Sequence, residues 1–110
     1  MTIAYSRNIL NGMRILPDPI VFLWDEGNLT KNLDKHGVTI QEAEEIYVLE
    51  SFLISEDVKH STYTEQRFNG LGQTRKRRKL FVAFTIRDGK VRVISARDMN
   101  SKEKQVYEEA

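Results

Sequence analysis

The chain has 110 residues, 40% hydrophobic and 30% charged, which is enough apolar material for one small core and too much for a disordered chain. It has no cysteine and two histidines, His36 and His60, so a disulfide scaffold, a thiolate zinc site and a thiol nucleophile are excluded and a His-rich metal site is not expected. The net charge is only +1, but residues 21–60 carry −6 and residues 61–100 carry +7, an asymmetry that points either to a polyanion site on one face or to two halves that neutralise each other across a fold.

Residues 1–19 read as an N-terminal extension ahead of a domain at 20–110. Asn11-Gly12 is a turn signal, and Pro17-Asp18-Pro19 breaks any regular element. Residues 1–12 are expected to be dispensable for folding and activity. No apolar stretch follows the first basic residue, so no signal peptide is expected, and the default location is the cytoplasm. The run Ile20–Trp24 is far short of the ~20 residues that span a bilayer. Ile20–Asp25 reads as a strand, because it is β-branched and aromatic. Glu26–His36 reads as a helix with Leu29 and Leu33 on one side, and Gly37 follows where a left-handed residue ends a helix.

Thr39-Ile40-Gln41-Glu42 has the spacing of a capping box. It predicts a second helix from Ile40 to about Leu49, with Ile40, Ala43 and Tyr47 on its apolar stripe. Residues 50–63 give little signal beyond Phe52–Ile54. Glu65–Gln73 reads as a strand, twisted or bulged at Gly70 and Gly72. Thr74–Lys79 reads as a loop. Leu80–Arg87 is the strongest strand, and its near-continuous apolar run predicts a central position buried on both faces. Asp88-Gly89 predicts a two-residue hairpin turn, and Lys90–Ala96 returns as the next strand. Asn100 and Glu103 have the spacing of a second capping box, opening a last helix. The order gives an α+β fold: an antiparallel sheet of three to four strands packed against helices.

Arg75-Lys76-Arg77-Arg78-Lys79 is five consecutive cations, a solvated loop or a nucleic-acid contact. Arg67, Arg87, Lys90, Arg92 and Arg97 lie on or beside the neighbouring strands. A meander would bring these charges onto one surface, where they neutralise phosphates and release counterions. Arg97 shares strand parity with Val91, Val93 and Ser95, an expensive inward position. Either the chain turns at Ala96 and frees the side chain, or the guanidinium is fixed at a strand end and aimed at a phosphate. Glu65 and Arg67 are two apart, as an ion pair or as a general base beside a phosphate clamp. His36, at the predicted helix end, is a charge–dipole contact or an acid/base group. Phe81-Val82-Ala83-Phe84 resembles the end of an RNP1 pattern, but Arg78 and Leu80 occupy its small-residue positions, so the aromatics are read as core.

Trp24-Asp25-Glu26 with Asn28, Lys31-Asn32, Lys35-His36-Gly37-Val38 and Glu42-Ala43 resembles the opening of the BrnT toxin family. Glu65-x-Arg67, Gly72, Arg78, Phe81-Val82, Thr85, Arg92-Val93-Ile94-Ser95-Ala96-Arg97, Glu103 and Tyr107 continue the likeness over about residues 20–108. The resemblance implies a type II toxin with a RelE-like ribonuclease fold that cleaves RNA and halts translation. It implies a cognate antitoxin with a ribbon-helix-helix part, through which the complex meets operator DNA. No cofactor, metal or membrane is expected. Cleavage without a metal needs a base for the ribose 2′-hydroxyl, an acid for the leaving oxygen and cations for the transition state. Glu65 or His36 is expected to move the proton. Arg67, Arg78 and Arg97 are expected to meet in one pocket and hold phosphate. Lys35, Arg75, Lys76, Arg77, Lys79 and Arg92 are the expected nucleic-acid contacts. The alternative is a module that uses the same basic sheet to bind nucleic acid or an acidic antitoxin without catalysis.

Overall fold

The computed structural model describes residues 5–25 and 35–110. The chain opens with a small hairpin, β1 (Ile9–Leu10) and β2 (Met13–Arg14), closed by Asn11-Gly12. Both turn residues have positive φ, 53° and 77°, the geometry of a two-residue primed turn. Leu16, just beyond it, is buried in the core. Ser6 exchanges two backbone hydrogen bonds with Ile54, at 2.8 and 2.7 Å.

Next come β3 (Phe22–Leu23), α1 (Ile40–Val48), β4 (Leu53–Glu56), β5 (Arg67–Gln73), β6 (Lys79–Arg87), β7 (Lys90–Asp98) and α2 (Ser101–Glu109). One sheet runs in the order β3-β7-β6-β5-β4. Its last four strands are antiparallel, and β3 lies parallel on the β7 edge. The architecture is α+β, with two helices among the described residues. The sheet has five strands where three to four are expected. The unexpected member is β4, whose four residues are too few for alternation to show; the strand read at Ile20–Asp25 is present as β3, shortened to Phe22–Leu23. The predicted helix at Glu26–His36 lies mostly outside the described residues. Lys35 and His36 are helical, and Gly37 has φ +63°.

Helix α1 is where its capping box puts it. Thr39 Oγ1 accepts from Glu42 N–H at 3.1 Å, and Glu42 Oε1 accepts from Thr39 N–H at 3.0 Å. Its Ala43, Ile46 and Tyr47 are buried against Phe52, Phe68, Val82, Phe84, Val91 and Val93. Gly70 and Gly72 make room for this layer rather than a bulge. A Cβ at Gly72 would stand 2.7 Å from Ile46 Cβ, and one at Gly70 would run into the Phe52 ring. Helix α2 covers only part of the opposite face, packing Val106 and Tyr107 on Leu53, Leu71, Phe81 and Met99. Strand β6 is central as predicted, but its second face is half-open: Leu80, Val82 and Phe84 are buried while Phe81 and Ala83 are partly exposed. Asp88 and Gly89 both have positive φ, as the β6–β7 turn requires.

Candidate functional site

Arg78 stands just before β6 and spends every donor it has. Nε donates to Asp98 Oδ1 at 2.7 Å, and Nη2 donates to Asp98 Oδ2 at 3.1 Å and to the His36 carbonyl at 3.3 Å. Nη1 donates to the Gly37 carbonyl at 3.0 Å and to Glu42 Oε1 at 3.1 Å. A guanidinium has five N–H groups, and these contacts use them all. The hydrogen bond from Arg78 holds the Asp98 carboxyl below its ordinary range, helped by the nearby charges of Lys104 and His36. Burial would raise Glu42, but the Thr39 N–H and Arg78 outweigh it, and the net shift is down.

This knot ties together segments some forty positions apart in the chain. It sets Lys35-His36 at one end of the sheet, next to the cationic turn. That turn is tight: Thr74 N–H donates to the Arg78 carbonyl at 2.9 Å, Arg78 N–H donates to Thr74 Oγ1 at 3.0 Å, and Arg77 has φ +70°. Its cations fan out. Arg75 reaches Glu45 of α1 at 3.4 Å, and Lys79 reaches Glu108 of α2. Lys76 and Arg77 are exposed and make no ion pair among the described residues.

A second cluster sits at the other end of the sheet. Glu65 accepts from Arg67 Nε at 3.3 Å and from Arg87 Nη2 at 2.7 Å. Arg67 and Arg92 are both registered on Thr85 of β6, so the three positions share one face. Arg92 Nη2 donates to Asp25 at 3.1 Å. The Arg87 hydrogen bond, with that of Arg67, keeps Glu65 below its ordinary range.

Arg97 is neither turned inward nor freed. A bulge opposite Ala83/Phe84 makes Val93 pair with Phe84 and Ser95 with Ala83. One extra residue reverses parity, so Ala96 points to the core and Arg97 to the α2 side. There it makes a bidentate pair with Glu103 at 2.8 and 2.9 Å and lies 4.1 Å from the Phe81 ring centroid.

The expected meeting of Arg67, Arg78 and Arg97 in one pocket is therefore corrected. Arg78 and Arg97 sit at the same end but on opposite faces. Arg67, registered on Thr85, is about 23 Å along β6 from Arg78 at a strand's rise per residue. The face of each cation depends on the bulge and the register, which a straight strand reading does not contain. The backbone of His36, with Lys35 just before it in the chain, does meet Arg78 of the 75–79 turn. Glu42, Asp98 and Lys104 belong to that corner too, and the sequence reading gave them no role there. Their signal was present only as the cap spacing of Glu42.

Among the described residues, no group of three or more His, Asp and Glu side chains converges to hold a metal, and no helix is long and apolar enough to cross a membrane. No curated protein matches the chain. A family described as "Ribonuclease toxin, BrnT, of type II toxin-antitoxin system" matches residues 24–103.

Proposed function

Because the chain belongs to the BrnT family of ribonuclease toxins of type II toxin–antitoxin systems, we propose that it is a metal-independent endoribonuclease whose cleavage corner is built on His36. Cutting RNA stops translation, and a cognate antitoxin silences the enzyme. That antitoxin carries a ribbon-helix-helix part, and only their complex reaches operator DNA. One observation supports the choice of corner: Arg78 holds the carbonyls of His36 and Gly37, which ties the backbone that carries the imidazole to the Arg75–Lys79 turn.

His36 takes the proton from a ribose 2′-hydroxyl as O2′ attacks the adjacent phosphorus. The P–O5′ bond breaks, and the departing oxygen takes a proton from the Lys35 ammonium. Lys76 and Arg77, exposed on the neighbouring turn, face the phosphate oxygens where negative charge grows. Arg78 acts as a positioning residue, since its donors are spent on the protein. Glu65 is the weaker base of the two expected candidates. A carboxylate bonded by two guanidiniums has lost proton affinity, and it lies at the far end of the sheet. The second reading, a binding module without catalysis, draws its support from the engagement of Arg78 and Arg97 with carboxylates.

The test is expression in bacteria that lack the antitoxin, following growth and RNA integrity for the wild type and for His36→Gln. The wild type should arrest growth and fragment RNA. The variant, purified and folded, should cleave about 10²- to 10⁴-fold more slowly. A folded wild type that does neither would turn the protein into the binding module.

A further inference from the structure

We propose that the end of the sheet opposite His36 is a clamp for single-stranded RNA, in which Arg67, Arg87 and Arg92 hold the backbone and Tyr63 stacks a base. The proposal rests on the ribonuclease reading but concerns a surface that takes no part in its chemistry.

The arginines differ from Arg78 in how they are used. Among the described residues, Arg67 commits only Nε to Glu65, Arg87 only Nη2 to the same carboxylate, and Arg92 only Nη2 to Asp25. Each guanidinium has five donors, so most remain for an incoming anion. One carboxylate also serves two cations, which leaves the pair with an excess positive charge. Lys90, paired with Arg87 across the turn and exposed, adds to it.

The register fixes their layout. Arg67 and Arg92 flank Thr85 at about 10 Å from strand to strand, and Arg87 is the next residue on that face of β6. The row beyond is Asn69, Ala83 and Ser95, all partly exposed. Helix α2 packs with Leu53, Leu71, Phe81 and Met99, none of which is in these two rows.

Tyr63 stands in the turn that carries Glu65. Thr62 N–H donates to the Glu65 carbonyl at 2.8 Å, and Glu65 N–H donates to Thr62 Oγ1 at 3.1 Å. The Tyr63 ring between them is fully exposed. An exposed aromatic ring two residues from the carboxylate that joins Arg67 and Arg87 suits unpaired nucleic acid, where bases stack and phosphates meet guanidiniums. A protein partner would need apolar anchors in the patch. Among the described residues none of the other exposed large apolar side chains, Ile9, Met13, Val21, Val48 and Val58, stands in these two rows, although Met13 lines a groove with Glu65 at their margin.

The experiment titrates the full chain with a short fluorescent single-stranded RNA carrying 2′-O-methyl riboses, which cannot attack their own phosphates. Affinity is measured across a salt series for the wild type and for Arg67→Gln, Arg92→Gln and Tyr63→Ala. Each arginine variant should lower the slope of log affinity against log salt by about 1. Tyr63→Ala, which touches nothing in the fold, should weaken binding about 5- to 100-fold with the slope unchanged. Polyglutamate should not displace the RNA at equal charge. Wild-type affinity and slope in all three variants overturn the clamp, as does displacement by polyglutamate, which would reassign the patch to an acidic polypeptide. If the wild type cleaves unmodified RNA while the variants bind normally, only the clamp falls. If it neither binds nor cleaves, the ribonuclease reading falls with it.

Discussion

Arg78 and Arg67 both sit beside carboxylates, yet one is an anchor and the other is largely uncommitted. The difference is the number of N–H donors already in use, and it predicts different responses to mutation. Arg78→Lys keeps the charge but replaces a planar fork with three donors on a flexible stem. It should cost about 2 kcal/mol of stability, read by denaturant unfolding, and should slow RNA cleavage by releasing Lys35-His36. Arg67→Lys should leave stability within about 0.5 kcal/mol, because the charge is kept and one Nε bond of a partly exposed pair is lost. Tyr47 offers an independent test of residue-scale packing. Its ring is enclosed by Phe22, Phe52 and Phe84, and its hydroxyl is buried with no hydrogen-bond partner among the described residues. Tyr47→Phe removes that unsatisfied group and should raise the unfolding free energy by about 1 kcal/mol. A loss of stability would mean the hydroxyl has a partner. At this scale the sequence showed which residue types were present, but not how many of their donors were already taken. Nothing in the spacing of Arg78 says that Asp98, Glu42 and two carbonyls will surround it.

The elements were legible in proportion to their length and to the locality of their signals. Both capping boxes formed as spaced, at Thr39/Glu42 and at Asn100/Glu103, because each is decided within four residues. Thr39→Ala should therefore cost about 1 kcal/mol in thermal or denaturant unfolding. It should also loosen the Arg78 knot, since Glu42 serves both. Strand β7 shows the limit. Its alternation predicted Arg97 on the side of Val91 and Val93, and one bulge put it on the other side, against Glu103. A bulge is set by the pairing of two strands, so neither strand announces it alone. The N-terminal segment makes a third case. Its turn at Asn11-Gly12 was readable, but its bonds to the outer edge of β4 through Ser6 were not. We propose that removing residues 1–12 leaves a folded, cleaving protein, because Leu16 and the five strands remain. Baring the β4 edge should then show as concentration-dependent self-association in sedimentation, the usual consequence of an unpaired strand edge. Loss of the circular dichroism signal would make the segment part of the fold.

Over the whole molecule, the acidic and basic halves of the chain meet. Arg75 pairs with Glu45, Arg78 with Glu42, and Arg92 with Asp25, each joining the basic half to the acidic one. Much of the apparent charge asymmetry is consumed in building the fold, while Lys76 and Arg77 at one end of the sheet and Lys90 at the other are exposed and make no ion pair among the described residues. This has a consequence in acid. Asp98 is lowered from 3.8 chiefly by Arg78, and Glu65 from 4.5 chiefly by Arg87. For Glu103, burial acts upward but the Arg97 bond and the Asn100 N–H prevail, so it too lies below 4.5. In each, the unfolded chain binds protons first as pH falls. The stabilisation is complete above the ordinary carboxylate values and drains away below about pH 4.5, through the depressed folded values. The melting temperature, followed from about pH 6 to about pH 3, should fall mainly in the lower part of that range. A flat profile would mean these pairs contribute nothing to stability. The family, the α+β class, the starts of the two described helices, the turns and the central strand followed from the sequence, since each is written in neighbouring residues or in a periodic run. Which cations face which side, which carboxylates they meet, and therefore which of them keep uncommitted donors were decided only by strand register and one bulge, because those depend on how distant segments pair.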